Sequence, residues 1–151
     1  MQEITPFLWY NGNVREAVDH YLSIFPNAKV LSTSPGPNGS LGSATLEIEG
    51  QRLIAFDGGP RYEFTPAISM MVVCETQEEV DELWTRLCDG GAESKCGWLE
   101  DRFGLSWQII PSILPKLLQD EDREKAGRAL NAMLEMKKID IATLERAFSG
   151  A

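Results

Sequence analysis

An α+β fold made of two tandem β-α-β-β-β modules and a helical carboxyl-terminal tail is predicted by three observations. Ile68 to Cys74 and Thr76 to Leu87 repeat the plan of Ile4 to Tyr10 and Asn13 to Phe25, an apolar strand, a polar cap and an amphipathic helix. Glu16-Ala17-Val18-Asp19 falls in register on Glu78-Glu79-Val80-Asp81, and short strand-like runs follow each helix. A fixed internal repeat of this kind sets the fold on which every later motif is placed. The modules are expected over 4–57 and 68–111, together 1–111, with a helical extension over 112–151.

In the first copy, Ile4 to Tyr10 is apolar and aromatic, and Pro6 suits the beginning or edge of a strand. Asn13 offers an N-cap with Glu16 three residues on, and Val14, Ala17, Val18, Tyr21, Leu22 and Phe25 mark one helical face. Lys29 to Ser34 predicts the next strand and Pro35 to Ser40 a loop. Ala44 to Glu49 alternates, Gly50-Gln51 is expected to turn, and Leu53 to Phe56 returns as the hairpin partner. Gly58 to Pro66 reads as a linker, with Arg61 and Tyr62 solvated in it or reaching a ligand across a dimer.

In the second copy, Thr76 to Glu79 forms a capping box, and Val80, Leu83, Trp84 and Leu87 make the buried stripe before Gly90-Gly91. Glu93 to Leu99 supplies one or two short strands. Asp101 to Gly104 turns into a last strand, Leu105 to Ile110, which Pro111 stops. The tail then reads as helices over 112–118, 122–136 and 141–148, the last capped by Asp140.

Composition narrows the function classes. The 151 residues suffice for a core without metal or disulfide staples. No apolar run approaches the ~20 residues of a spanning helix, and Met1-Gln2-Glu3 lacks the basic start of a signal peptide. The net charge of −9 argues against a nucleic-acid face. Cys74, Cys88 and Cys96 are odd in number and lack metal or redox spacing, so a cytoplasmic protein is expected.

Closer motifs carry a resemblance. Trp9-Tyr10, Phe56 to Pro60, Cys96 to Asp101, Gly104 to Pro111 and Met136 to Ile141 look like the PhnB-like proteins, often labelled demethylubiquinone 3-methyltransferase-like. These form a branch of the vicinal oxygen chelate superfamily, the glyoxalase/bleomycin resistance/dioxygenase fold. The resemblance implies that each copy curls into half of a cup, often completed in a homodimer. It also implies metal ligands near Thr5, Ile54 or Ala55, Ser69 and Gln108. None of these is a His or a carboxylate, so no metal and no cofactor is expected. The methyltransferase label likewise lacks a Gly-rich strand-to-helix turn, since only Asn11-Gly12-Asn13 stands there.

If Gln108 faces the cup, strand parity places Ser106 and Ile110 beside it, with Thr5, Phe7 and Trp9 from the first copy and Ser69, Met71 and Val73 from the second. With Trp98, these describe a small-molecule pocket; core packing is the competing role of Trp9 and Trp98. Asp57, Cys96 and Gln108 are the weak catalytic candidates. Turn hydrogen bonding for Asp57 and Asp101, and simple burial for Cys96, stand as alternatives. Three functions therefore compete: a metal-free homodimer binding a small organic molecule, a metal-independent enzyme or methyltransferase, and a protein-interaction module using the acidic tail.

Overall fold

Alternation along the strands, with one helix per sheet, organises both halves of the chain. In the computed structural model, which describes residues 1–151, the chain divides into two units, Met1–Phe64 and Thr65–Ala151. Each holds a four-stranded sheet.

The first unit comprises β1 (Phe7–Tyr10), α1 (Val14–Ile24), β2 (Ala28–Pro35), β3 (Leu41–Ile48) and β4 (Gln51–Asp57). Its sheet order is β1-β4-β3-β2, with β1 parallel to β4 and the other pairs antiparallel. Leu8, Tyr10, Ala44, Leu46, Leu53 and Ala55 are buried on one face, and Val14, Ala17, Val18, Tyr21 and Ile24 of α1 are buried with them. The Tyr10 and Tyr21 hydroxyls meet at 3.0 Å inside this core, so two phenols satisfy each other where water is excluded.

Several boundaries differ from the sequence expectation for local reasons. The first strand begins at Phe7 because Pro6 has no N–H for the ladder; its carbonyl accepts from Ile54 N at 2.9 Å. Asn13 precedes α1, but its side chain makes no capping bond. The turn before it is fixed from a distance instead, by Gly12 N donating to Asp57 Oδ1 at 2.9 Å. The β3–β4 turn falls on Glu49-Gly50, with φ of 47° and 83°, rather than on Gly50-Gln51. Two left-handed residues match the strand twist of a tight hairpin. Glu49 accepts this backbone while its carboxylate binds Asn27 through both N and Nδ2.

The second unit repeats the plan with β5 (Met70–Cys74), α2 (Gln77–Cys88), β6 (Ala92–Glu93), β7 (Trp98–Glu100) and β8 (Ser106–Pro111). The order is β5-β8-β7-β6, again with the first pair parallel. Thr76 Oγ1 accepts from Glu79 N at 3.2 Å, while Glu79 Oε2 reaches back to Glu75 N, one residue beyond the reciprocal bond of a capping box. Val80, Trp84 and Leu87 pack with Leu99, Trp107 and Ile109 in the core. Asp101 is the buried charge there. Its Oδ1 accepts from Phe103 N and Leu105 N, and its Oδ2 from Trp107 Nε1 at 2.9 Å, so one carboxylate shapes the turn and anchors a core indole.

The tail forms α3 (Ile113–Leu118), α4 (Arg123–Leu134) and α5 (Ile141–Ser149) and belongs to the second unit. Leu114, Ile139 and Leu144 cluster with Ile110, which strand parity places on the same face as Gln108. Cys96 and Gly97, both left-handed, turn their N–H groups to Met136 O and Lys137 O at 2.8 Å each. Gln77 closes the other side, donating to Ile139 O and accepting from Ile141 N, and Lys138 pairs with Asp81 at 2.8 Å. Asp140 caps α5 through Thr143 N at 2.8 Å.

Asp101→Ala should lower stability by about 2–4 kcal/mol, because two backbone donors and an indole lose a buried acceptor together. Urea unfolding followed by tryptophan fluorescence measures it. The tail contacts should also be acid-sensitive. The Thr143 amide, then its hydroxyl, hold the Asp140 carboxyl below its ordinary 3.8, and hydrogen bonds from Lys138 and Gln77 do the same for Asp81. A depressed folded-state value means the stabilisation is present above 3.8 and fades as pH falls through and below it. The protection of the Ile141 and Thr143 amides relative to their intrinsic exchange rates should fall as pH drops from roughly 4 to 2, and Asp140→Asn, which keeps a capping oxygen without the charge, should flatten that dependence.

Candidate ligand-binding faces

In the first unit the sheet face opposite α1 carries Phe7 and Trp9 of β1, with Ile54 and Phe56 of β4 and Ser43 and Thr45 of β3 beside them in register. Phe7, the first residue of β1, remains 57% exposed. Its ring lies 5.3 Å from that of Phe56, and Trp9 meets Phe56 edge-on at 5.3 Å. Tyr62 arrives from the chain beyond β4 and packs edge-on against Trp9 at 4.9 Å, so Phe7, Trp9, Phe56 and Tyr62 form one aromatic cluster. Such tilted pairs add attraction beyond simple area burial.

Local chain geometry holds Trp9 in place. Its Nε1–H donates to Gly59 O at 2.9 Å. Gly58 lies against the indole so closely that an added Cβ would stand 2.1 Å from Cε2. Gly59 takes φ of 82°, which lets the chain bend over the ring. The Phe56 to Pro60 motif is thus an aromatic residue, a turn-binding carboxylate and two glycines that bring backbone against tryptophan. Thr5 is half-buried and precedes β1.

The second unit has its own open face. Met71, Gln108 and Trp98 are cross-strand neighbours, and Gln108 Nε2 donates to Ser69 Oγ at 2.9 Å. Met71 and Val73 are exposed, Trp98 and Gln108 are half-buried, and Ser106 is buried. Ile110, at the end of this face, is covered by Leu114, Ile139 and Leu144.

The reactive candidates occupy unlike surroundings. Asp57 Oδ1 is engaged by Gly12 N. Cys96 sits at φ of 57°, half-buried, with its amide tied to the tail. Burial, then Glu79 and Glu75, push the Cys74 thiol up to about 11, and burial, then Glu93, does the same for Cys88. Both stay protonated near neutrality and are poor nucleophiles. His20, the single histidine, lies on α1 against Tyr21, with ring centroids 6.0 Å apart.

No group of three or more His, Cys, Asp and Glu side chains is placed to hold a metal ion. Of the two residues left open at the first-module ligand position, Ile54 is on the open face and Ala55 is buried toward the helix. The four positions therefore offer two hydroxyls, an aliphatic group and an amide whose nitrogen is already committed to Ser69, a donor set unsuited to a divalent cation. Phe56 is the member of the aromatic face that sequence reasoning missed, and Tyr62, expected to be solvated or to reach a ligand across a dimer, packs instead on Trp9 of its own module. The parity of Phe56 with Trp9 could have found the first; the Gly58-Gly59 bend was the signal for the second.

Two modules of this topology define a vicinal oxygen chelate fold. Residues 2–110 match the family model described as 3-demethylubiquinone-9 3-methyltransferase, and the chain belongs to that family. The PhnB protein from Bacillus cereus is 32% identical with a TM-score of 0.69, over 74% of this chain and 100% of that one. PA1353 from Pseudomonas aeruginosa is 23% identical with a TM-score of 0.61, over 74% of this chain and 98% of its own. The fosfomycin resistance protein FosX from Listeria monocytogenes, in complex with Mn(II) and 1S,2S-dihydroxypropylphosphonic acid, shares the fold at 18% identity and a TM-score of 0.58, over 79% and 99%. No curated protein matches the chain. The family match stops at residue 110, so α3 to α5 lie outside it. No helix is long and apolar enough to cross a membrane.

Gly58→Ala should displace the Trp9 ring, because the new methyl group has no room beside it. The expected outcome is a loss of near-ultraviolet circular dichroism and a destabilisation of about 1–3 kcal/mol by overpacking, measured against the parent protein in urea.

Proposed function

We propose that this protein binds a small, partly apolar organic molecule on the aromatic sheet face of its first module, without metal or cofactor and as a homodimer. The observation that carries this reading is the Phe7, Trp9, Phe56 and Tyr62 cluster: two exposed rings, Phe7 and Tyr62, beside two half-buried ones, held by an indole hydrogen bond and two glycines. A rigid apolar surface with a few neutral hydroxyls nearby is the usual makeup of a small-molecule site. Ser43 and Thr45 supply those hydroxyls.

The family description suggests methyl transfer, and the residues favour binding over it. In the turn between β1 and α1, where a methyl donor's nucleotide would seek backbone amides, Gly12 N is already taken by Asp57. A metal-independent reaction through Asp57, Cys96 or Gln108 is the runner-up, yet Asp57 and Gln108 both spend hydrogen bonds on holding the fold. An interaction role for the tail draws on Leu130 and Leu134, one turn apart on α4 and 41% and 52% exposed.

Titration with 2-naphthoate, followed by proton–nitrogen spectra, should saturably shift the Trp9 indole resonance and the amides of residues 56–62. Trp9→Leu should weaken binding by about tenfold or more, the loss typical of a central aromatic anchor. Native mass spectrometry should show a metal-free dimer. Absence of any saturable shift, or a stoichiometric metal ion, would overturn the reading.

A further inference from the structure

We infer that the ligand of the first-module face is a planar anion, a conjugated or aromatic carboxylate or its equivalent, whose charge is read by Arg61. This rests on the proposed binding role of that face and specifies the chemistry it selects. Arg61 lies with its guanidinium carbon 5.3 Å from the centroid of Tyr62, the residue that packs edge-on against Trp9. The cation therefore stands at the rim of the aromatic cluster.

Its electrostatic situation differs from that of the other cations on the same sheet face. Arg52 is paired with Glu3, and Lys29 with Glu47. Strand register puts Lys29, Glu47 and Arg52 at the end of the face away from Phe56. Those charges cancel locally. Arg61 makes no ion pair, and its neighbour Glu63 does not approach it to salt-bridge distance. In a chain with 23 acidic and 14 basic side chains, an arginine without an ion-pair partner beside the exposed Tyr62 ring is a point of positive potential.

Stacking also suits the guanidinium to this task. Lying over the phenol, it gains cation–π attraction while its edge keeps the forked N–H donors that match a carboxylate. A ligand whose flat body rests on Phe7, Trp9 and Phe56 would present an anionic substituent at the rim. The carboxylate in register on β4, Asp57, has strand parity opposite to Phe56 and is bound to Gly12 N, so it does not oppose such a charge on the open face.

The test compares 2-naphthoate with the neutral, nearly isosteric 2-naphthamide by tryptophan fluorescence titration of the full chain. The parent protein should bind the acid at least about tenfold more tightly than the amide, the order expected when a charge-assisted bidentate bond replaces a neutral one. Arg61→Gln should bring the two within about twofold, chiefly by weakening the acid, whereas Arg61→Lys should retain part of the preference as a point charge. Equal binding of acid and amide by the parent protein, or an acid preference that survives in Arg61→Gln, overturns the inference and leaves the binding role of the face standing. Binding of neither probe removes both.

Discussion

A single helix covers only one face of a four-stranded sheet, and this inequality governs the architecture. In the first unit α1 takes the side where Leu8, Tyr10, Leu53 and Ala55 are buried, and by strand alternation every intervening residue must point the other way. The aromatic face is the direct result, because Phe7, Trp9 and Phe56 occupy those intervening positions. The second unit begins with the same imbalance and meets it differently. Its tail covers Ile110, so part of one open face becomes core while Met71 and Gln108 stay outside.

Two carboxylates, one buried and one half-buried, then fix what packing alone would leave loose. Asp101 gathers two amides and an indole, and Asp57 fixes the turn that leads into α1. Both stand near strand ends, where catalytic carboxylates are also commonly placed, and both are drawn instead into holding backbone. For the buried Asp101, low-dielectric surroundings make such bonds strong and make their absence costly. The open face of the first unit is correspondingly poor in reactive groups and rich in rings.

Most of the fold was readable from residue pattern, because the repeat and its alternation are local signals. Thr76 with Glu79, and Asp140 before its helix, behave as N-terminal capping chemistry anticipates. Asn13 does not cap its helix, and the turn before it is held by Asp57, 45 residues beyond Gly12. No local window contains that information. At the site, Phe7 and Trp9 followed from parity. Ile54 and Ala55 could not be separated within an unbroken apolar run, and Tyr62 reaches the cluster only through a bend that glycines permit but do not announce.

Beside its apolar cluster, the join between tail and second module includes a set of contacts made to main-chain atoms of the tail. Cys96 and Gly97 receive the carbonyl oxygens of Met136 and Lys137, and Gln77 reads the backbone of Ile139 and Ile141. A contact of this kind places little demand on the identity of the residues that supply the carbonyls. Its constraint falls on the receiving side, on the two left-handed residues and on one glutamine. A relative could therefore keep the same clasp while its tail diverged beyond alignment, with the shared feature surviving as a conserved glycine and glutamine far upstream of the segment they hold.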